Sequence, residues 1–140
     1  MEEEKRNEYE NKHPEKPYKG FTNLSAYEET FPIVIQTIQI LQSYKRENKQ
    51  GEFDELFDKT KEKAVSILTS LADGYNKYHA EDKVVLYSQA RSNVSHTQSL
   101  MLILSALNIM PEDAGKKIVA RFDEKMKIFN GLIRKMEDNA

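Results

Sequence analysis

Ala64-Val65-Ser66-Ile67-Leu68-Thr69-Ser70-Leu71-Ala72-Asp73-Gly74-Tyr75 is the stretch whose reading decides the fold. Its apolar side chains recur in steps of three and four, the period of a helix with one buried face. Its small residues and its glycine sit inside that pattern, which points to close packing against another helix. Followed outward, the stripe takes in Phe53, Leu56, Phe57 and Thr60 on one side and Tyr75 and Tyr78 on the other. The spacing predicts a helix from about residue 52 to 78, roughly 40 Å long at 1.5 Å per residue. Asp73-Gly74 is also a common turn pair that can end a helix. The continuation to Tyr75 and Tyr78 favours a helical Gly74.

Three more helices flank this one. Ser25 and Glu28 have the spacing of a capping box, and Leu24, Tyr27, Phe31, Val34, Ile35, Ile38 and Leu41 make the stripe of a first helix. Pro32 lies within it and predicts a kink or a broken first turn, because proline removes a backbone hydrogen bond and crowds the preceding turn. Residues 45–51 read as the loop. A third helix is expected from about 82 to 108 on Val84, Tyr87, Ala90, Val94, Met101, Leu104 and Leu107. Its segment Leu100-Met101-Leu102-Ile103-Leu104 is apolar on every side and predicts a second contact surface. Pro111, Glu112 and Asp113 suit the first turn of a fourth helix, which continues through Ile118, Phe122, Met126, Phe129, Ile133 and Met136. The expected fold is all-α, an antiparallel up-down-up-down four-helix bundle over residues 21–140. Residues 1–20, charged and carrying Pro14 and Pro17, are expected to form a mobile tail, with Tyr18 and Phe21 docking on the first helix if it orders.

At 140 residues the chain has the size of one domain. It has no cysteine, which removes thiolate chemistry and suits a reducing, cytoplasmic setting. The acidic start does not read as a secretory signal, and no apolar run approaches the length that spans a bilayer. The net charge of −2 arises within residues 1–17, leaving the remainder neutral. A neutral bundle argues against a dedicated nucleic-acid binder, whose affinity needs a concentrated basic face.

No residue pattern points to catalysis, a metal or a cofactor. His13, His79 and His96 are not spaced as a helical zinc pair. Glu-x-x-His motifs on two bundle helices, a phosphate-cradling glycine loop and a nucleophile elbow are all absent from the sequence. Ser66, Thr69, Ser70 and Ser92 read as small interfacial residues bonded back to the helix carbonyl four residues earlier. Lys116, Lys117, Arg121, Lys125 and Lys127 cluster on the fourth helix but interleave with Asp113, Asp123 and Glu124, which reads first as a salt-bridged face. Candidate packing or subunit-interface residues are Ser66, Ala72, Gly74, Tyr75, Leu100, Leu102 and Ile103.

Ala64-Val65-Ser66-Ile67, Ala72 and Gly74 match parts of the motif Ala-Val-Ser-Ile-Pro-Ala-Asn-Ile-Ala-Glu-Gly. Ala90 to His96 and Asn130-Gly131-Leu132-Ile133 follow two shorter motifs. On these residues the chain resembles a bacterial four-helix bundle family that includes proteins encoded in intervening sequences of 23S ribosomal RNA genes. The resemblance spans about residues 20 to 136, and His96 stands where that family carries an acid. It implies an antiparallel bundle assembled into a homopentameric ring. It also implies kinship with the accessory variability proteins of diversity-generating retroelements, which engage a reverse transcriptase and nucleic acid through a basic surface. The expected function is therefore that of a non-enzymatic, homo-oligomeric interaction protein, able to present surfaces to a protein partner. The alternative is an RNA- or DNA-associated accessory factor using Lys116, Lys117, Arg121, Lys125 and Lys127 on an assembled ring.

Overall fold

Phe57, Thr60, Ala64, Ile67, Leu68, Ser70, Leu71 and Gly74 form the buried side of helix α2 (Asp54–Tyr75), in the steps of three and four that turn one helical face inward. The computed structural model describes residues 20–140, so the expectations placed on the N-terminal tail and Tyr18 lie outside the described residues. A 3-10 turn, Phe21–Asn23, leads into α1 (Ser25–Glu47); α3 (Ala80–Ala106), α4 (Glu112–Asp123) and α5 (Met126–Asp138) follow α2. α4 and α5 run on as one rod, giving the all-α, antiparallel four-rod bundle that the periodicity predicts.

Pairs between rods show the antiparallel order directly. Against α3, Ser105 bonds to Pro111, Gln98 to Val119 and Asp123, and Arg91 to Asn130, so positions rise on one rod as they fall on the other. Lys45 joins α1 to Asp58 of α2 at 2.8 Å. Arg121 donates to Gln36, and Lys125 reaches Glu29 at 3.3 Å, tying the fourth rod to α1. α1 and α3 thus stand at opposite corners, each packed on α2 and on α4–α5. Tyr87, Phe57, Phe122, Phe129, Ile67 and Leu71 fill the space between.

Several expectations are corrected. Ser25 and Glu28 do not form a capping box. Leu24 is the N-cap and has no side-chain cap, because its own packing on the core and its bond to Phe21 in the 3-10 turn set the entry of the chain. Pro32 does not break α1, which is helical throughout. The proline side chain is exposed, and the one backbone hydrogen bond it removes does not end the helix. Tyr78 lies beyond α2 and is 92% exposed. The fourth rod is interrupted at Glu124 and Lys125, where Lys125 N donates to Phe122 O and Ile128 N to Lys125 O, a local tightening of the 3-10 kind. The apolar spacing continues across this joint, so periodicity is blind to it. Bonding back to the carbonyl four residues earlier is done by Thr30, Thr37, Thr60 and Thr97, not by Ser66, Thr69, Ser70 or Ser92.

Leu71 has no exposed surface, and its truncation leaves a cavity among fully buried neighbours. Leu71→Ala is expected to destabilise the fold by about 2 to 5 kcal/mol, measured by chemical denaturation. A loss below about 0.5 kcal/mol, the range of ordinary surface changes, would contradict this placement.

Candidate interaction surface

α3 is held from two sides, and both contacts run through glycine. A Cβ on Gly74 of α2 would stand 2.8 Å from Cε1 of Tyr87, whose ring is 2% exposed. A Cβ on Gly115 of α4 would meet the Ser105 hydroxyl and stand 2.9 Å from the Met101 carbonyl oxygen. At the N-terminal end of α3, Lys83 Nζ donates to the carbonyls of Gly74 (3.2 Å) and Tyr75 (2.6 Å) and lies 5.5 Å from the Tyr75 ring centroid. These carbonyls belong to the last turn of α2, where that of Gly74 also accepts from Lys77 N at 3.2 Å. Burial lowers the Lys83 pKa from its ordinary value. At the other end, Asn108 takes a positive φ of 61°, and Ile109 N bonds to Leu104 O while Asn108 N bonds to Ser105 O. This is a Schellman closure with asparagine in the left-handed position.

So clamped, α3 turns one side to the core and one side out. Tyr87, Ala90, Val94, Leu100, Met101 and Leu104 are buried. Val85 is 65% exposed, Leu102 and Ile103 are each 43% exposed, and Leu107 is 50% exposed. Between the hydrophobic ends, the outward row is Gln89, Ser92, Ser95, His96 and Ser99, all exposed. No Asp, Glu, Lys or Arg occurs between Arg91 and Glu112. In a chain that is 31% charged, this row carries no formal charge of its own, although Lys59 and Lys63 line a groove beside His96 and Ser99, and Glu112 and Lys116 one beside Leu102.

The candidate residues fall into two groups. Gly74 is buried, and Ala72 and Tyr75 are half-buried, all at the end of α2 beside Lys83 and Tyr87. Leu102 and Ile103 lie toward the opposite end of α3, about 24 Å from Tyr87 along the helix axis. Ser66 is half-buried on α2, and Leu100 is a core residue, so the segment from Leu100 to Leu104 is not apolar surface all round. Only Leu102 and Ile103 of this segment face outward. The core takes the other three.

Three of the five basic residues of the fourth rod are already engaged by side chains of the bundle. Lys116 pairs with Glu112 at 2.7 Å, Arg121 with Gln36 and Lys125 with Glu29, while Lys117 and Lys127 are exposed. The hydrogen bond to Lys116 holds the Glu112 carboxyl below the usual range. The contribution of this pair is present above that range and fades as pH falls through the lowered value. Among the described residues, no group of three or more His, Asp or Glu could hold a metal ion, and no helix is long and apolar enough to cross a membrane. An open groove of about 550 Å³ lies at the α1–α2 turn, lined by Lys45, Arg46, Lys49 and Asp54. Its charges are mixed, with Lys45 already tied to Asp58.

Comparison with protein-family models, curated proteins and solved structures finds no match to this chain. Lys83, Gly115 and Asn108 escaped the sequence reading. The signals open to it were weak: a lysine at the start of a helix, a glycine in the first turn of another, and Asn108 three residues before a proline.

Two outcomes follow from the clamp. Gly74→Ala raises helix propensity by about 1 kcal/mol yet forces the buried Tyr87 ring to shift. The clash is expected to dominate, with a net loss of about 1 to 3 kcal/mol in denaturant titration. Burial also pushes the Tyr87 phenol up, so the folded state holds that proton more tightly than the unfolded chain. The resulting stability is complete below about pH 10 and lost as pH rises through the raised value. Tyr87→Phe is expected to flatten the alkaline fall in melting temperature.

Proposed function

We propose that this chain is a non-enzymatic, self-associating helical-bundle protein whose outward α3 face seats against a second copy. The observation that carries this reading is the exposure of Val85, Leu102, Ile103 and Leu107 on a helix face without formal charge from Ser92 onward. Leu102, Ile103 and Leu107 adjoin one another, and a contiguous exposed apolar patch marks a contact surface, whereas Val85 stands apart beyond a polar row. The motif resemblance around Gly74, Ala90 and Asn130 agrees with this reading and suggests a cytoplasmic homopentamer. In that role the protein supplies a rigid assembled scaffold, and its partners bind surfaces that the assembly brings together.

Light scattering coupled to size exclusion tests the proposal. The expected mass is five times 16.3 kDa, about 82 kDa, and a stable monomer at micromolar concentration would overturn it. Leu102→Asp and Ile103→Asp place a charge at exposed positions, so both are expected to keep the helical circular-dichroism signal while shifting the mass to 16.3 kDa. Unfolding of either variant would assign its side chain to the core of the subunit. Labelled RNA bound steeply better at low than at high salt would instead support the nucleic-acid alternative.

A further inference from the structure

We propose that the groove between α2 and α3 beside His96 binds a phosphoryl dianion, the free or monoesterified phosphate of a small molecule. The groove flanks α3 on its α2 side, away from the one that Leu102 lines with Glu112 and Lys116. It therefore stands apart from self-association.

The antiparallel pairing of α2 and α3 builds this groove. Gly74 lies against Tyr87; eleven residues back along α2 from the first, and eleven on along α3 from the second, Lys63 comes level with Gln98. Lys59 and Lys63 are one turn apart on the same side of α2, as His96 and Ser99 are on α3. These four side chains, with Leu100, line a space of about 290 Å³, ample for a phosphoryl group.

The lining is one-sided in its chemistry. Two ammonium groups, an imidazole and a hydroxyl can all donate hydrogen bonds, and no carboxylate is among them. Lys45, Lys77, Lys116 and Lys125 each hold an acidic partner, whereas neither Lys59 nor Lys63 is in an ion pair among the described residues. Like charges four residues apart on a helix repel, and a cleft lined by one sign of charge focuses its field on the space within. Asn93, three residues before His96 on the same side of α3, is 5% exposed, and its amide nitrogen has no acceptor. On this flank donors outnumber acceptors in the interior as well as at the surface.

Charge selects the ligand. A phosphate monoester carries close to two negative charges at neutral pH, which the two lysines match. A nucleic-acid strand would need cations repeated along its path, and α3 supplies none after Arg91. The groove suits one phosphoryl group, not a track of them.

Amide chemical shifts of the full chain, followed by NMR as inorganic phosphate replaces chloride at fixed ionic strength, test the site. Saturable shifts are expected around Lys59, Lys63, His96 and Ser99. Lys59→Gln and Lys63→Gln are each expected to weaken binding about fivefold or more, while Lys49→Gln at the α1–α2 turn leaves it unchanged. Lys59 is exposed, so its variant reports even if the change at half-buried Lys63 disturbs folding. Dimethyl phosphate, a singly charged diester like a nucleic-acid linkage, is expected to bind about tenfold more weakly. Equal binding of the diester would overturn the dianion assignment. Shifts that grow without saturating, or saturable binding that survives both lysine changes, would overturn the site itself. Binding lost with Lys49→Gln instead would move the anion to the α1–α2 turn and overturn it here.

Discussion

The structure depends on how closely α3 approaches its two neighbours. Gly74 opposite Tyr87, and Gly115 opposite the Met101 carbonyl and Ser105, leave no room for a β-carbon on either flank. That proximity lets one long helix bury Tyr87, Val94, Met101 and Leu104 against both α2 and the α4–α5 rod. It also fixes the rotation of α3, and with it the residues that face outward. A change of phase by one residue, about 100° around the axis, would bury Leu102 and expose Met101. The surface is thus a by-product of the core contacts, and core substitutions at the two glycines would alter it.

Charge plays a small part in holding the bundle together. The ion pairs from Lys45 to Asp58, Lys77 to Asp73 and Lys116 to Glu112 all have exposed side chains, where solvent screening leaves such pairs little net stabilisation. The buried threonines Thr30, Thr37, Thr60 and Thr97 are satisfied within their own helices, while Ser105 bonds out to Pro111 and the Asn93 amide nitrogen has no partner. An inward threonine of this kind needs no partner on another rod. Apolar burial and shape therefore dominate the stability, while the surface pairs help set the register between rods.

The four rods were legible because their apolar residues are regularly spaced and the connections before α2 and α4 carry Gly51 and Pro111. Gly74 was legible for a different reason: the stripe continued past it to Tyr75. What stayed hidden involves contacts between residues far apart in the chain. Arg121 with Gln36 and Gln98 with Val119 have no local signature, and neither does the meeting of Gly115 with Met101. The joint at Glu124 was invisible because tightening a turn alters hydrogen bonding without changing the order of apolar residues. Of the candidate surface, Leu102 and Ile103 were identified by composition, but separating them from Leu100, Met101 and Leu104 required the helix phase that packing imposes.

The closed end of α3 bears on the thermodynamics of association. The bonds of Asn108 and Ile109 back to Ser105 and Leu104, with Met110 buried just beyond, stop the last turn from fraying. Leu102, Ile103 and Leu107 are therefore presented on a backbone that is already ordered before any encounter. Only side-chain rotamers remain to be frozen, at about 0.5 to 1.5 kcal/mol for each immobilised side chain, whereas a frayed turn would add the backbone entropy of every residue it recruits. A strip of modest area on a preorganised helix can support an affinity that the same residues on a loose segment could not.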